Sequence, residues 1–457
     1  MIRMTKEIKV ALLMAASLFM EILDGTIVTT ALPKMSQYFH TGSSTIALLV
    51  SVYLITVAIF IPLSGWMANQ FGKKKIWIIA VILFTISSLS SALAPNFSLL
   101  LIMRIIQGIS GALMTPTARL IVLEKTPASQ LLKMISYLIW PALIAPAIAP
   151  LVGGFIVTYW NWQWIFLINV PIGLITALIG AKLIDPDKEK NKTLFDLIGF
   201  IEIALSSGII LVGAEIATHG KDYWLSALGL VILGIIFGFI VFKHLKKSDN
   251  PLFSLDSLKI TSFRIFQTSG SVLWLCVGAL PYILTIFLQT VFQWSAVKAG
   301  SYVLFIFLGN IGIKPFTNPI IRKLGYKGAL LSSFGMVFVT SIGLAFIQIN
   351  TFPAWIMFLA LVSGVGRSLA LTAYNGLSFS EIAPKDRNSA NTLNAVVSTL
   401  AQGMGISIIT VIVNLLQIFF SITISYKLGF VFLGLLMLYP IIEVIFLPKN
   451  IGHATIS

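Results

Sequence analysis

The sequence predicts an all-α polytopic membrane protein that crosses its membrane fourteen times. Of its 457 residues, 57% are hydrophobic and 10% are charged, whereas an average soluble domain carries about 25% charged residues. Apolar runs recur along the whole chain, and about twenty apolar residues are enough for a helix to cross a bilayer. This composition excludes a water-soluble globular protein, which needs more polar surface than the chain provides.

The apolar runs divide into fourteen predicted spans joined by short polar connections. The first begins with basic residues, as a secretory signal does, but it contains Glu21 and Asp24 and continues to Leu32. It is too long for the core of a signal peptide and is expected to remain as the first membrane helix. The predicted spans are 8–32, 44–69, 76–94, 98–120, 134–157, 164–184, 197–217, 224–243, 263–290, 299–321, 329–349, 354–379, 391–413 and 428–447.

The distribution of lysine and arginine predicts the orientation of these spans. An even number of spans places both termini on one side, where 24 of the 31 basic residues fall, with four on the other side. Because cytoplasmic loops are enriched in lysine and arginine, both termini are expected to be cytoplasmic. The net charge of +15 then reflects orientation and contact with anionic membrane lipid, not nucleic-acid binding. Three basic residues, Arg104, Lys314 and Arg367, lie inside predicted spans.

Few residues are arranged for catalysis, metal binding or a cofactor. The single cysteine, Cys276, lies in an apolar run, and the four histidines do not have the spacing of metal ligands, so neither a disulfide nor a metal site is expected. The chain also lacks a G-x-x-x-x-G-K-[ST] loop for ATP. It is therefore expected to be neither an enzyme nor an ATP-driven pump, and to need no cofactor.

Two predicted cytoplasmic loops indicate an internal repeat. NQFGKKK at 69–75 follows the second span and RKLGYK at 322–327 follows the tenth, each with a glycine flanked by cations. The repeat divides the chain into a six-helix bundle (1–192), a two-helix insertion (193–250) and a second six-helix bundle (251–457). Repeated halves surround a midplane site in many secondary transporters. The alternative is that any tight cytoplasmic hairpin favours glycine and lysine.

The N-terminal half carries four longer motifs: LDGTIVTTALP at 23–33, GWMANQFGKKK at 65–75, LLIMRIIQG at 100–108 and WQWIFLINVPIG at 162–173. Their order and positions resemble the major facilitator superfamily, and in particular its fourteen-helix drug:proton antiporters. The resemblance implies the major facilitator fold, with two six-helix bundles plus two inserted central helices, in the bacterial cytoplasmic (inner) membrane.

The same motifs supply residues that the resemblance implicates in conformational change. Two departures stand out. Asn69 replaces the usual Asp of the loop motif, and APAIAPLVGG at 145–154 has alanine at two glycine positions of the antiporter motif, which weakens the inference of export. The expected conformational residues are Gly65, Asn69, Gly72, Lys73, Gln107, Gly108, Pro150, Gly153, Gly154, Asn169 and Pro171.

Two carboxylates of the first span are the candidate proton site, because acidic residues inside a membrane are costly and are usually functional. Glu21 and Asp24 are three residues apart and share one helical face. Asp24 and Arg104 lie at predicted depths of about 12 and 9 Å from the outer ends of their spans, so they are able to meet. Asp24 is expected to be the main proton-coupling residue, assisted by Glu21 and Arg104. The alternative is a permanent ion pair that fixes the first and fourth spans together.

Other polar and aromatic residues inside spans are candidates for a substrate cavity. Aromatic faces attract cations, although most aromatic residues in such a protein pack in the core or face lipid. Arg367 has no acidic neighbour in sequence, and the alternative for it is a bond to backbone carbonyls. Lys314 is expected to snorkel to the cytoplasmic surface. The expected substrate-binding residues are Glu21, Asp24, Arg367, Trp140, Trp274, Tyr282, Phe305, Asn310, Tyr374 and Asn375.

Taken with the resemblance, these residues predict a monomeric, proton-coupled multidrug efflux antiporter. It is expected to export small hydrophobic, cationic compounds by alternating access, with protons as the coupling ion. The alternative is a proton-coupled transporter of one physiological compound, such as a lipid, peptide or metabolite, on the same fold. A membrane-embedded enzyme would need clustered catalytic groups, and a sensor or scaffold would tolerate the loss of Asp24 and Arg104.

Overall fold

The computed structural model describes residues 5–124, 126–127, 130–187, 194–448 and 451–452. Within these residues the chain folds into sixteen α-helices, several of which are consecutive parts of one broken helix. They are α1 (Lys6–Phe39), α2 (Ser43–Phe71), α3 (Lys73–Ala92), α4 (Phe97–Glu124), α5 (Leu131–Tyr159), α6 (Trp164–Leu167), α7 (Asn169–Leu183), α8 (Leu197–Ala217), α9 (Trp224–Lys247), α10 (Thr261–Thr290), α11 (Ala296–Gly312), α12 (Lys314–Ala345), α13 (Pro353–Ser380), α14 (Arg387–Leu416), α15 (Ile422–Leu436) and α16 (Leu438–Ile445).

Twelve helical stretches of the described part are long and apolar enough to cross a membrane, against the fourteen that the sequence predicts. The predicted spans 134–157 and 299–321 are not among the twelve. The first corresponds to α5, a helix of 29 residues. The second covers α11, which has 17 residues, and the beginning of α12. The all-helical membrane architecture is therefore confirmed, and the count of fourteen stays a prediction.

Two glycines with positive φ produce sharp changes of direction in the chain. Gly72 has φ 95° and ψ 139° between α2 and α3, and Gly325 has φ 68° and ψ 169° within α12. Positive φ combined with extended ψ is essentially restricted to glycine. These are the glycines of the two similar loops, which thus share backbone conformation as well as sequence. We call the end of the molecule that carries these two turns the basic end.

The helices pack in two groups. Helices α10–α16 share one apolar core, in which Phe334 is fully buried. Helices α1–α7 supply two further clusters, one around Trp77 and one around Phe166. The first turns of α14 join the cluster around Trp77 through Leu393. We call α1–α7 the N-terminal bundle and α10–α16 the C-terminal bundle.

Helices α8 and α9 form a hairpin beside the N-terminal bundle. The Ser206 hydroxyl donates to the carbonyl of Gly234 at 2.9 Å, and the lack of a side chain at Gly234 lets the two helices approach closely. The Asp196 carboxylate caps α8 and lies 2.8 Å from His244 of α9. Little of α9 is buried within the structure, which leaves its apolar surface for lipid. The predicted boundary between residues 192 and 193 lies outside the described residues.

Candidate functional site

Asp24 of α1 lies at the centre of a buried polar network in the N-terminal bundle. Its Oδ2 atom is 2.5 Å from Nη1 of Arg104, and its Oδ1 atom accepts hydrogen bonds from Nδ2 of Asn169 (2.8 Å) and Nε2 of Gln107 (3.1 Å). All four side chains have no exposed surface. The Asp24 carboxylate therefore has three hydrogen-bond donors, one of which is the charged guanidinium of Arg104.

Arg104 has acceptors besides Asp24. Its Nη1 atom also donates to Oε1 of Gln107 at 2.7 Å, and its Nε atom donates to the carbonyl of Leu49 at 3.1 Å. The guanidinium lies 4.3 Å from the centre of the Tyr53 ring, within the range of a cation–π interaction. Arg104 therefore has two hydrogen-bond acceptors besides the Asp24 carboxylate.

Helix contacts explain why these side chains meet. Gln107 donates to the Ser88 hydroxyl of α3 at 2.7 Å. One turn of α4 approaches α2 at Gly108, where a Cβ atom would lie 2.9 Å from the carbonyl of Tyr53. The network therefore joins α1, α2, α3, α4 and α7, and it uses the motif residues Gln107, Gly108 and Asn169.

Glu21 lies one turn from Asp24 on α1 and has a different environment. It is partly exposed, and its carboxylate accepts a hydrogen bond from the Thr115 hydroxyl of α4. Gly111 of α4 leaves room for it, because a Cβ atom there would lie 3.2 Å from Oε1 of Glu21. Glu21 is thus the more accessible of the two carboxylates.

Arg367 and Lys314 are buried in the C-terminal bundle. Arg367 is 2% exposed and donates from Nη2 to the carbonyl of Val277 at 2.5 Å, while its Nε and Nη1 atoms are buried without a partner in the described structure. Lys314 donates to the Thr372 hydroxyl at 2.7 Å and is 7% exposed. Its ammonium group therefore remains inside the protein, whereas the sequence led us to expect it at the membrane surface.

The other predicted substrate-binding residues occupy varied positions. Tyr374 is fully buried between the rings of Phe266 and Phe334, so it belongs to the core of the C-terminal bundle. Asn375 is buried on the same helix, and its Oδ1 atom accepts a hydrogen bond from Arg119 of the N-terminal bundle. Three partly buried aromatic residues pack against the same core and one buried amide lies beside it: Trp274, Tyr282, Phe305 and Asn310. The side chain of Trp140 lies outside the described part of the structure.

The sequence profile of the Major Facilitator Superfamily matches residues 14–406. The chain belongs to the Major Facilitator Superfamily. This assignment confirms the resemblance on which the sequence interpretation depends, and members of the superfamily are transporters rather than enzymes.

Relatives and solved structures agree with this membership. The chain is 30% identical over 407 residues to the probable transport protein HsrA of Haemophilus influenzae, covering 89% of this chain and 88% of that protein. It is 29% identical over 405 residues to the putative multidrug resistance protein MdtD of Escherichia coli, covering 88% and 85%. The human organic anion transporter MFSD10 has the same fold, with a TM-score of 0.72, 14% identity and coverage of 96% of this chain and 100% of that one. The proton:xylose symporter XylE aligns with a TM-score of 0.66 and 15% identity, over 98% and 97%.

In this member of the superfamily, polar contacts join the two bundles at the basic end. Nη1 of Arg387 on α14 donates to the carbonyl of Leu123 at 2.5 Å, and Nδ2 of Asn391 donates to that of Pro116 at 2.9 Å. Asn388 donates to the carbonyl of Gly65 at 3.0 Å. These donors reach the last turns of α2 and α4, so the bundles are closed against each other at this end.

The residues that donate hydrogen bonds across this interface were not identified from the sequence. Arg387, Asn388 and Asn391 belong to a polar run, RNSANTLN at 387–394, that opens an otherwise apolar helix. From the sequence, Arg119 was only one of the 24 basic residues assigned to the cytoplasmic side. A polar run at the beginning of a membrane helix is the signal that points to such an interface.

The residues predicted to take part in conformational change have distinct environments. At Gly65 a Cβ atom would lie 2.2 Å from Oγ1 of Thr392 on α14, and at Gly153 it would lie 2.2 Å from Oγ1 of Thr30 on α1, whereas Gly154 has open space. Lys73 pairs with Glu124 at 2.7 Å and Asp187 at 3.2 Å. Asn69 is partly exposed, Pro171 is exposed in the first turn of α7, and the side chain of Pro150 lies outside the described part.

Proposed function

We propose that the protein is a proton-coupled multidrug efflux antiporter of the bacterial cytoplasmic (inner) membrane. Membership of the superfamily supports transport, and the relative MdtD, named as a putative multidrug resistance protein, supports multidrug efflux. The proposed partners are protons, membrane lipid and small hydrophobic or cationic substrates. The proposed working unit is a monomer.

The proposed topology has fourteen crossings and cytoplasmic termini. Helix α5, with 29 residues, is long enough to cross a bilayer. Helix α11 and the part of α12 before Gly325 together form another crossing, and the part of α12 after the Gly325 turn forms the next. With the twelve stretches already described, this arrangement gives fourteen, and the basic end faces the cytoplasm. The transporting bundles are then 1–192 and 251–457, joined by 193–250.

The observation that carries the proposal is the network around Asp24. The carboxylate, the guanidinium and the two amides are buried together, so a proton that reaches Asp24 changes the charge of a site without solvent. Protonation removes the charge that binds Arg104, whose Nη1 and Nε atoms retain Gln107 and the Leu49 carbonyl as acceptors. Loading and unloading of this proton is proposed to bias the two bundles between their inward and outward arrangements.

Glu21 is proposed to link this network with the substrate. It shares a face of α1 with Asp24, it is partly exposed, and its described partner is the Thr115 hydroxyl. A partly exposed carboxylate attracts a cationic substrate, and it is also able to pass a proton to Asp24. In this arrangement a proton from outside displaces the cation and is then released to the cytoplasm.

Transport in everted membrane vesicles tests the proposal. Ethidium and a quaternary ammonium compound serve as substrates, a pH-sensitive dye reports proton movement, and an imposed proton gradient drives uptake into the vesicles. We expect uptake of both compounds with coupled proton release, and loss of gradient-driven uptake in Asp24→Asn. Undiminished gradient-driven transport by that variant contradicts the role of Asp24. Transport of a single compound from a broad panel favours a dedicated transporter on the same fold.

A further inference from the structure

Three cations lie along one helix of the C-terminal bundle, and the proposed mechanism uses none of them. Arg367 belongs to α13 itself, Lys314 binds Thr372 of α13, and Arg119 of the N-terminal bundle binds Asn375 of α13. From position 367 to position 375 the helix rises about 12 Å. The three side chains therefore belong to or contact a stretch of α13 that is about 12 Å long, and one of them comes from the opposite bundle.

None of these cations is neutralised within the described part of the chain. Their hydrogen-bond acceptors there are uncharged: the Val277 carbonyl, the Thr372 hydroxyl and the Asn375 amide. The salt bridges found among the described residues do not include any of the three. Arg104, by contrast, has its counter-ion in Asp24. The region around α13 thus carries excess positive charge.

Two carboxylates inside the bundles, Glu21 and Glu443, have other hydrogen-bond partners. Glu21 accepts a hydrogen bond from Thr115 of the N-terminal bundle. Glu443 of α16 accepts hydrogen bonds from Thr268 and Ser269 of α10. Both of these acids therefore have partners other than the three cations, and an anion that pairs with the cations is expected to be a ligand.

Arg367 has the geometry to bind such an anion. A guanidinium keeps its charge in proteins and presents donors in a planar fork that matches a carboxylate or another oxyanion. Two of its nitrogen atoms, Nε and Nη1, are buried without a hydrogen-bond partner in the described structure. Burial of an unpaired charge and of unsatisfied donors is costly. A ligand oxyanion that accepts a hydrogen bond from Nε or Nη1 pairs the charge and removes part of that cost.

We propose that Arg367, with Lys314 and Arg119, forms an anion-binding subsite for substrates that carry a carboxylate or sulfonate on a hydrophobic body. The inference rests on the proposed transport function and extends its substrates from cations to organic anions and zwitterions. Arg367 provides the unpaired hydrogen-bond donors, Lys314 adds charge from α12, and Arg119 adds charge from the N-terminal bundle. Because Arg119 lies across the bundle interface, its contribution depends on how far the bundles are separated.

Binding of two matched probes to the purified protein in nanodiscs tests this subsite without any need for transport. The probes are 2-naphthalenesulfonate and 2-naphthyltrimethylammonium, which share an aromatic body and differ in charge; empty nanodiscs correct for lipid partitioning. We expect Arg367→Gln to raise the Kd of the sulfonate about tenfold or more, with less than a twofold change for the ammonium probe. Arg367→Lys should recover part of the affinity. Arg264→Gln, which removes an exposed arginine of the same bundle, should change neither Kd.

Other outcomes of these measurements also test the proposed anion-binding subsite. If Arg367→Gln does not yield monodisperse protein, Lys314→Met and Arg119→Gln provide the test, and each should weaken sulfonate binding severalfold. Absence of sulfonate binding to the wild-type protein overturns the proposal, and so does wild-type affinity in all three variants. Ethidium efflux with proton release, measured in parallel, separates the two hypotheses: efflux without sulfonate binding rejects the subsite alone, and no coupled efflux of any compound rejects the proposed function.

Discussion

Asn388 of α14 donates a hydrogen bond to the carbonyl of Gly65 in α2, 3.0 Å away, and so joins the two bundles at the basic end. Position 65 requires glycine for this approach, because a Cβ atom there would lie 2.2 Å from Oγ1 of Thr392. The loop motif in which Gly65 lies has Asn69 in place of the usual Asp. At Gly65, the contact to α14 is made by a backbone carbonyl and an amide, without a charged pair.

Substitution of Gly65 should therefore open the basic end. We expect Gly65→Ala to push α2 and α14 apart, because the new methyl group collides with Thr392. Spin labels at Lys75 and Lys323, both exposed, on a Cys276→Ser background will report the distance between the bundles by double electron–electron resonance. A shift toward longer distances is the expected result. An unchanged distribution in Gly65→Ala shows that this contact does not hold the bundles together.

Some of the candidate site was predictable because each residue of a helix adds the same rise, so the depth of a residue in the membrane follows from its position in the span. Asp24 and Arg104 have similar predicted distances from the outer ends of their helices at about 1.5 Å per residue, and the structure brings them to 2.5 Å. Gly72 and Gly325 were likewise recognisable from local sequence, because a tight turn with positive φ has a strong requirement for glycine.

The interface between the bundles was not predictable by the same reasoning. The pairing of Arg119 with Asn375, and of Arg387 with the carbonyl of Leu123, depends on how distant helices rotate and pack against each other. Hydropathy reports the depth of a residue and not the direction of its side chain. Lys314 illustrates the difference, because its position near a predicted span end indicated the surface, while packing against α13 directs it to Thr372.

Asp24→Asn should destabilise the protein as well as abolish coupling. Removal of one partner from a buried ion pair typically costs about 3–5 kcal/mol, since Arg104 remains charged. We expect Asp24→Asn/Arg104→Gln to recover much of that stability but no proton-driven transport. Thermal unfolding of the purified variants and vesicle transport, measured together, check this. Recovery of transport along with stability in the double variant indicates a purely structural pair.

Glu21→Gln should separate substrate recognition from folding. Glu21 is partly exposed and its described partner is one hydroxyl, so we expect less than about 1 kcal/mol of destabilisation, which is usual for a neutral replacement near a surface. Efflux of ethidium should fall severalfold, because the cation loses its counter-charge. The matched comparison is 2-naphthalenesulfonate binding, which should not weaken. Equal losses for the cation and the anion contradict a charge-selective role.

The two turn glycines should be intolerant of substitution to a similar degree. Gly72→Ala and Gly325→Ala each force a side chain into positive φ with extended ψ, a strain of about 1–3 kcal/mol. Gly335→Ala is the control, because Gly335 lies within the regular part of α12 and has open space around it; alanine there should be neutral or slightly stabilising. Melting temperatures of the three variants in one detergent provide the measurement. A neutral Gly325→Ala contradicts the repeat at the level of backbone conformation.

The adjacent glycines of α5 provide a sharper comparison, because they differ by one position in the same helix. Gly153 faces α1, where a methyl group would lie 2.2 Å from Oγ1 of Thr30 and 2.9 Å from Cγ1 of Ile27, whereas Gly154 faces open space. Overpacking of this kind costs about 1–3 kcal/mol, and alanine is intrinsically better than glycine in a helix by up to about 1 kcal/mol. We therefore expect Gly153→Ala to lower the melting temperature and Gly154→Ala to leave it unchanged or raise it. If both variants have the same melting temperature, α1 and α5 are not packed at Gly153 as described. If Gly153→Ala is stable but transports slowly, the close contact is needed for the conformational change and not for folding.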